Sequence, residues 1–228
     1  MHDHADFYRT DYLHSSIFSD APDGLEKFYT SMKFGKAFVV HNLKPRSDIW
    51  NANWFVENFG ETNVEILDCR NAYDALPNRF DEEKQIQPYK VSEFFDGFVD
   101  ETKRLVGPGA ILKLKDWPST TELGRLFPQH LCDFTNILPF REWVALDGPM
   151  NLASRLPDAD AKLLDLGPKM YIAYGSEDTG ENAMGTTAIH LDMADTVNIM
   201  TFAVDLRRNQ NMLDGENATL NIENKKNR

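Results

Sequence analysis

Apolar residues recur at helical spacing in three stretches of the first half of the chain. Residues 25–34 (LEKFYTSMKF) predict a short amphipathic helix. Residues 48–60 (DIWNANWFVENFG) predict a second helix, which begins with Asp48 as its capping residue. Residues 91–105 (VSEFFDGFVDETKRL) predict a third helix, with Ser92 as its cap. The first half of the chain is therefore expected to be mainly helical.

Alternating or β-branched patterns predict six short strands, and strands are expected to dominate the second half of the chain. These strands are expected at residues 36–43, 63–70, 109–117, 169–174, 186–192 and 196–205. Few apolar residues follow Asp205, so residues 206–228 are expected to form a disordered polar tail. Together the two patterns predict a β-sheet core with an N-terminal helical cover.

Composition narrows the class of protein and of partner. The 228 residues are 42% hydrophobic and include 15 Phe and 4 Trp, which is enough to fill a core. The formal net charge of -12 argues against sequence-specific nucleic-acid binding and suits a basic partner instead. Only two cysteines are present, so a disulfide scaffold is excluded. No apolar run has the roughly 18 residues of a membrane helix, and we expect a soluble intracellular protein.

The stretch GTTAIHLDMADTVNIM (residues 185–200) places His190 and Asp192 two apart between apolar runs. In a strand these side chains would point to the same face. With a distal histidine they would make the facial triad that binds Fe(II). The spacing alone is weak, because His4 and Asp6 repeat it in a polar terminus, and the alternative is a polar pair at a strand edge. Polar groups inside an apolar strand are costly without compensation, which favours the metal site.

Several ordered blocks extend this motif into a family resemblance. GTTAIHLDMADTVNIM resembles the JmjC domain of the Fe(II)- and 2-oxoglutarate-dependent histone lysine demethylases. The subfamily that it resembles acts on mono- and dimethylated lysine nine of histone three. Further similar blocks, in the same order, are LKLKDWP (112–118), LDGPMNLASRLP (146–157) and DLGPKMYIAYG (165–175), after FVVHNL, DIWNANWFVENFG, VEILDCR and VSEFFDGF. The resemblance covers residues 30–204.

The resemblance implies a mainly β fold with helices, a double-stranded β-helix of the jelly-roll or cupin type with an N-terminal helical cover. It divides the chain into an N-terminal segment (1–29), a partial JmjC-like domain (30–205) and a polar tail (206–228). The domain is expected to be incomplete at its C-terminus, because the family's late strands have no counterpart in these residues. It also implies a nuclear protein whose partners are a basic methyl-lysine histone tail and chromatin proteins.

The resemblance also assigns roles to individual residues. His190 and Asp192 would bind Fe(II), and 2-oxoglutarate would chelate the metal. Thr187 would hold the far carboxylate of 2-oxoglutarate, with Asn198 as a second contact. The implied reaction hydroxylates an N-methyl group, which then leaves as formaldehyde.

Two tyrosines on the strand before the motif are candidates for the methyl-ammonium pocket. They are Tyr171 and Tyr174, whose aromatic faces would attract a cation. For each of them the alternative is packing in the core.

The chain departs from the family pattern at the third metal ligand. No histidine follows His190, and the five others lie upstream. The family's usual lysine partner of the cosubstrate also has no assigned counterpart. The chain is therefore expected to be an incomplete copy of an Fe(II)/2-oxoglutarate lysine demethylase. The alternatives are a catalytically inactive JmjC-like chromatin scaffold and a small-molecule or protein hydroxylase on the same fold.

Overall fold

A computed structural model describes residues 16–18, 22–35, 37–69, 84–107, 109–119, 121–155, 167–175, 186–187 and 195–204. The strands are β1 (Ser16–Phe18), β2 (Val39–His41), β3 (Asn63–Asp68), β4 (Lys84–Lys90), β5 (Leu112–Trp117) and β6 (Met170–Ala173). The helices are α1 (Gly24–Lys33), α2 (Ala52–Phe59), α3 (Val91–Val99), α4 (Leu123–Leu126), α5 (Pro128–Ile137) and α6 (Arg141–Val144), with 3-10 turns at Glu101–Lys103 and Leu152–Arg155.

The chain divides into two compact units. The first unit comprises residues Met1–Arg46 and Phe127–Pro168, and the second comprises Ser47–Leu126 and Lys169–Arg228. Each unit is therefore built from two separate stretches of sequence.

The first unit is organised around the aromatic ring of Phe28 on α1. Its described strands β1 and β2 pair in parallel. The Phe28 ring stacks on Phe140 with centroids 4.3 Å apart, and the rings of Phe38 and Trp143 meet it edge-on. Such offset and edge-to-face contacts add to the stabilisation from burial alone. The helix predicted at residues 25–34 is confirmed as α1, but Phe28 is its buried large apolar side chain, whereas Leu25, Tyr29 and Met32 are exposed.

The second unit contains an antiparallel four-stranded sheet in the order β4-β3-β5-β6. β5 is a central strand, with Lys113 opposite Leu67 of β3 and Ala173 of β6. Because directly opposite residues in a sheet project to the same face, these three side chains share one face. Leu114 and Ile172 are paired on the opposite face.

Helices α2 and α3 contribute a dense aromatic core to the second unit. The rings of Phe55 and Phe95 stack nearly parallel at 5.3 Å, and Phe55 also contacts Trp117 at the end of β5. On α3, Phe94 is fully buried and stacks on Tyr174 at 4.9 Å. The adjacent aromatic positions on α3 therefore fix both the neighbouring helix and the end of β6.

The predicted helix caps were wrong by three residues for α2 and by two residues for α3. The cap of α2 is Asn51, not Asp48, because the extended backbone of Asn51 lets its side chain accept a hydrogen bond from the Trp54 N–H at 2.9 Å. Ser92 lies within α3, and its hydroxyl donates to the Gly60 carbonyl at 3.0 Å instead of capping the helix.

The predicted strand at 196–205 is not present in the described residues 195–204. A strand requires a neighbour that takes its N–H and C=O groups, and no described strand pairs with this stretch. The described architecture is thus a mixture of helices and antiparallel sheet. The closure of a jelly roll and the N-terminal helical cover remain predictions.

Gly97 on α3 lies where Tyr174 and Arg104 approach the helix most closely. A Cβ atom at Gly97 would be 2.5 Å from the Tyr174 hydroxyl oxygen and 2.9 Å from the Arg104 Cα. We expect Gly97→Ala to lower the free energy of unfolding by about 1–3 kcal/mol, the cost of overpacking. This loss would exceed the gain of about 1 kcal/mol from alanine's helix propensity. Urea unfolding measures the difference.

Two further variants make the Gly97 experiment specific. Gly175→Ala is the matched control, since a Cβ there would meet no atom within 4 Å and the change should be nearly neutral. In a Tyr174→Phe background the hydroxyl contact disappears but the Arg104 backbone contact remains, so the cost of Gly97→Ala should fall without vanishing. Equal stability of Gly97→Ala and the unsubstituted protein would contradict the close approach.

Candidate functional site

One face of the four-stranded sheet carries the candidate residue Tyr171 and contacts the backbone next to a second candidate, Thr187. We call it the Lys113 face, and it consists of Leu67, Lys113, Tyr171 and Ala173. Lys113 lies opposite Leu67 and Ala173, and Tyr171 precedes Ala173 by two residues on β6. The strand period of two therefore places Tyr171 on the face of Lys113.

The Thr186 backbone lies against this face and is held by hydrogen bonding. The Lys113 ammonium donates to the Thr186 carbonyl at 2.7 Å, and the Cys69 thiol lies 4.0 Å from the same oxygen. Lys113 is only 6% exposed, and Cys69 is buried. A buried cation is costly unless it is hydrogen-bonded, so this contact stabilises both the lysine and the backbone segment. The residue before Thr187 is thereby fixed to β5, one of the two central strands of the sheet.

Thr187 and Asn198, which are expected to contact 2-oxoglutarate, are both exposed. Thr187 follows the anchored Thr186 directly, and Asn198 lies in the stretch 195–204. That stretch contacts α3 through Phe202, whose ring stacks on Phe98 at 6.0 Å. The structure therefore anchors the backbone beside Thr187, and within the described residues no hydrogen bond links Thr187 to Asn198.

The two candidate tyrosines lie on opposite sides of the sheet. Tyr171 is 56% exposed on the Lys113 face, whereas Tyr174 is 1% exposed. The Tyr174 hydroxyl donates to the Phe94 carbonyl at 2.7 Å, and its ring stacks on Phe94. Burial raises the pKa of the Tyr174 hydroxyl, despite the lowering effect of the nearby Arg104. These contacts account for Tyr174 as a core residue, which was the alternative role, and leave Tyr171 accessible to a ligand.

Arg104 fixes the end of β6, and sequence reasoning missed it. Its guanidinium donates to the carbonyls of Ala110 at 3.2 Å and Gly175 at 3.1 Å, and it pairs with Glu101 at 3.1 Å. It also lies 5.1 Å above the Tyr174 ring. These contacts fix the C-terminal end of β6. No sequence signal distinguished this arginine from a surface charge.

The predicted metal ligands His190 and Asp192 lie outside the described residues. Within the described ranges, no group of three or more His, Cys, Asp or Glu side chains could hold a metal ion. The imidazole and carboxylate of these two residues are donors that suit Fe(II). The exposed hydroxyl of Thr187, next to a peptide bound by an ammonium, is chemically suited to a carboxylate. Their assignment to iron and 2-oxoglutarate stays a prediction.

Across the part of the chain that the structure describes, no helix combines the length and apolar character of a membrane span.

Comparison with known proteins identifies relatives of this chain. No family model matches it. It is 36% identical over 179 residues to lysine-specific demethylase 3A of Homo sapiens, and the match covers 77% of this chain and 13% of that protein. It is 35% identical over 187 residues to lysine-specific demethylase 3 of Drosophila melanogaster, covering 79% of this chain and 20% of that protein.

A third relative carries the domain name. The chain is 32% identical over 180 residues to probable JmjC domain-containing histone demethylation protein 2C of Homo sapiens, covering 77% of this chain and 7% of that protein. The chain thus spans between 7% and 20% of the length of these three curated relatives. Over the part that they match, the chain belongs to the family of JmjC domain-containing lysine-specific demethylases, as its sequence blocks predicted.

Proposed function

We propose that residues 30–205 form part of a JmjC-type, Fe(II)- and 2-oxoglutarate-dependent oxygenase that removes methyl groups from histone lysine. The observation that carries this proposal is the 36% identity over 179 residues to lysine-specific demethylase 3A. The substrate within this proposal is mono- or dimethylated lysine nine of histone three, which the subfamily resemblance implies.

The proposed site assigns separate binding roles to four residues. His190 and Asp192 would hold the metal, while Thr187 and Asn198 would bind the far carboxylate of 2-oxoglutarate. When bound, Fe(II) would use dioxygen to hydroxylate an N-methyl group, which leaves as formaldehyde, while 2-oxoglutarate is converted to succinate and carbon dioxide. The protein's own contribution is to orient the two reactants next to each other. Lys113 supports this by fixing the backbone on which Thr187 lies.

Recognition of the methylated tail would rely on aromatic and electrostatic contacts. Tyr171 offers an exposed ring on the Lys113 face, where a methyl-ammonium group can lie against its π-system. The net charge of -12 attracts a Lys- and Arg-rich histone tail and raises its association rate. With a histone substrate and chromatin proteins as partners, the protein would work in the nucleus.

A catalytically inactive chromatin scaffold is the second candidate, and one observation favours it. No histidine follows His190 in the sequence, so residues 191–228 supply no distal histidine ligand. Two protein ligands bind Fe(II) more weakly than three. A scaffold would retain the histone-binding surface and have no demethylase activity.

Formaldehyde release distinguishes the two functions. The 228-residue chain is incubated with Fe(II), 2-oxoglutarate and a histone three peptide dimethylated at lysine nine. The proposal predicts formaldehyde in equal amount to the methyl groups that the peptide loses, measured by mass spectrometry. Asp192→Ala should abolish this release. Asp195→Ala, a change at an exposed carboxylate three residues along, should leave it unchanged.

The outcomes of this assay separate the candidates cleanly. Peptide binding without formaldehyde assigns the chain to the scaffold function. Formaldehyde release that survives Asp192→Ala would overturn the assigned metal site. Absence of both binding and formaldehyde would overturn both candidates.

A further inference from the structure

We propose that Lys113 is a positioning residue that makes the backbone at Thr186 and Thr187 selective for an anion, the far carboxylate of 2-oxoglutarate. This inference rests on the proposed function and names a residue that sequence comparison left unassigned. It starts from the buried ammonium of Lys113 on β5, which lies 2.7 Å from the Thr186 carbonyl oxygen.

The geometry brings the charge of Lys113 close to Thr187. The Thr186 carbonyl and the Thr187 nitrogen belong to the same peptide group. Given ordinary bond lengths, the Lys113 ammonium is within roughly 5 Å of the Thr187 nitrogen. Because the Lys113 ammonium is itself buried, solvent screens its positive charge less than that of a surface lysine, and at this distance the charge favours an anion over a neutral group of the same shape. The exposed Thr187 hydroxyl then supplies the directional hydrogen bond.

The hydrogen bond from Lys113 to the Thr186 carbonyl also contributes to the preference for an anion. A carbonyl that accepts from a cation is polarised, and adjoining hydrogen bonds in a chain strengthen one another. The Thr187 N–H, on the same peptide, becomes a stronger donor. Lys113 therefore acts on the cosubstrate through Thr186 and Thr187, and its central position in the sheet keeps this segment in place.

Two substitutions separate charge from anchoring. Lys113→Gln keeps a donor for the Thr186 carbonyl and removes the charge, whereas Lys113→Arg keeps the charge. Lys103→Met is the matched control, because Lys103 is an exposed lysine of the same unit. Urea unfolding and circular dichroism establish that each variant is folded, and Lys113→Arg provides a second folded comparison if Lys113→Gln loses stability.

The decisive readout is the preference for the anion, measured by calorimetry with Mn(II) present. Affinity is compared for 2-oxoglutarate and for an analogue whose far carboxylate is a methyl ester. If the role of Lys113 were purely structural, Lys113→Gln would reduce the affinity for both ligands by the same factor. We expect Lys113→Gln to reduce the preference for 2-oxoglutarate over the ester by about tenfold or more, as for a lost charge-assisted interaction. Lys113→Arg and Lys103→Met should retain it.

The failure of this inference differs from the failure of the proposed function. If the unsubstituted chain binds 2-oxoglutarate and Lys113→Gln keeps its full preference for the acid, Lys113 does not set anion selectivity and the inference is overturned. If the unsubstituted chain binds neither ligand, the proposed cosubstrate site itself is wrong.

Discussion

Phe94→Ala is expected to lower the free energy of unfolding by about 3–5 kcal/mol, the usual cost of removing a large core side chain. Phe94 is fully buried on α3. The centroid of its ring lies 4.9 Å from that of Tyr174 and 5.6 Å from that of Phe95. Truncation loses the transfer free energy of the ring and leaves a cavity between the helix and the end of β6. Equilibrium unfolding in urea, monitored by tryptophan fluorescence, measures the loss.

Phe34→Ala is the matched control for Phe94→Ala. Phe34 follows α1 and is 65% exposed, so its truncation should change the stability by less than about 1 kcal/mol. Similar losses for the two variants would show that Phe94 does not occupy the packed position described above.

Arg104→Met is expected to cost about 2–4 kcal/mol of stability. The substitution keeps much of the apolar stem but removes the donors to the Ala110 and Gly175 carbonyls and the partner of Glu101. Hydrogen bonds from charged groups contribute about 1.5–3 kcal/mol, and the buried Ala110 carbonyl, left without this donor, adds a desolvation cost. Equilibrium unfolding in urea measures this change in the free energy of unfolding.

The comparison with Arg104→Lys tests the geometry of the bridge. A single ammonium cannot reproduce the planar fork of a guanidinium, so Arg104→Lys should recover only part of the lost stability. Arg125→Met, at an exposed arginine of the same unit, should be close to neutral. Full recovery with lysine would mean that charge alone, not the two-carbonyl bridge, stabilises the end of β6.

Periodicity predicted the main elements because helices and strands bury one face. The pattern of residues 25–34 gave α1, and the alternation of residues 63–70 and 109–117 gave β3 and β5. Caps were less predictable, since capping depends on the backbone angles of one residue. Asn51 and Asp48 are both good capping residues, and only the extended conformation of Asn51 decides between them.

Lys113 could not be predicted from its local sequence. In the alternating stretch 109–117 it occupies a polar position, which ordinarily faces solvent. It is buried instead, and its ammonium donates a hydrogen bond to the carbonyl of Thr186, 73 residues later in the chain. Arg104 likewise reaches Gly175, 71 residues away. Contacts between residues so far apart in the chain depend on the whole fold. A short stretch of sequence does not reveal them.

The two tyrosines illustrate a prediction that the sequence could have refined. Tyr171 and Tyr174 are three residues apart, and the period of a strand places such residues on opposite faces. They could therefore not both line one pocket along a regular strand. The structure places Tyr174 in the core and Tyr171 on the Lys113 face, so the substrate role that remains proposed is that of Tyr171.

Metal binding by the 228-residue chain tests the central proposal most directly. Mn(II), which can replace Fe(II), is titrated with and without 2-oxoglutarate and followed by electron paramagnetic resonance. We predict saturable binding of one ion per chain, tightened by 2-oxoglutarate and weakened at least about tenfold by His190→Ala. Equal uptake by the unsubstituted chain and by His190→Ala, with no effect of 2-oxoglutarate, would contradict an oxygenase site in this chain.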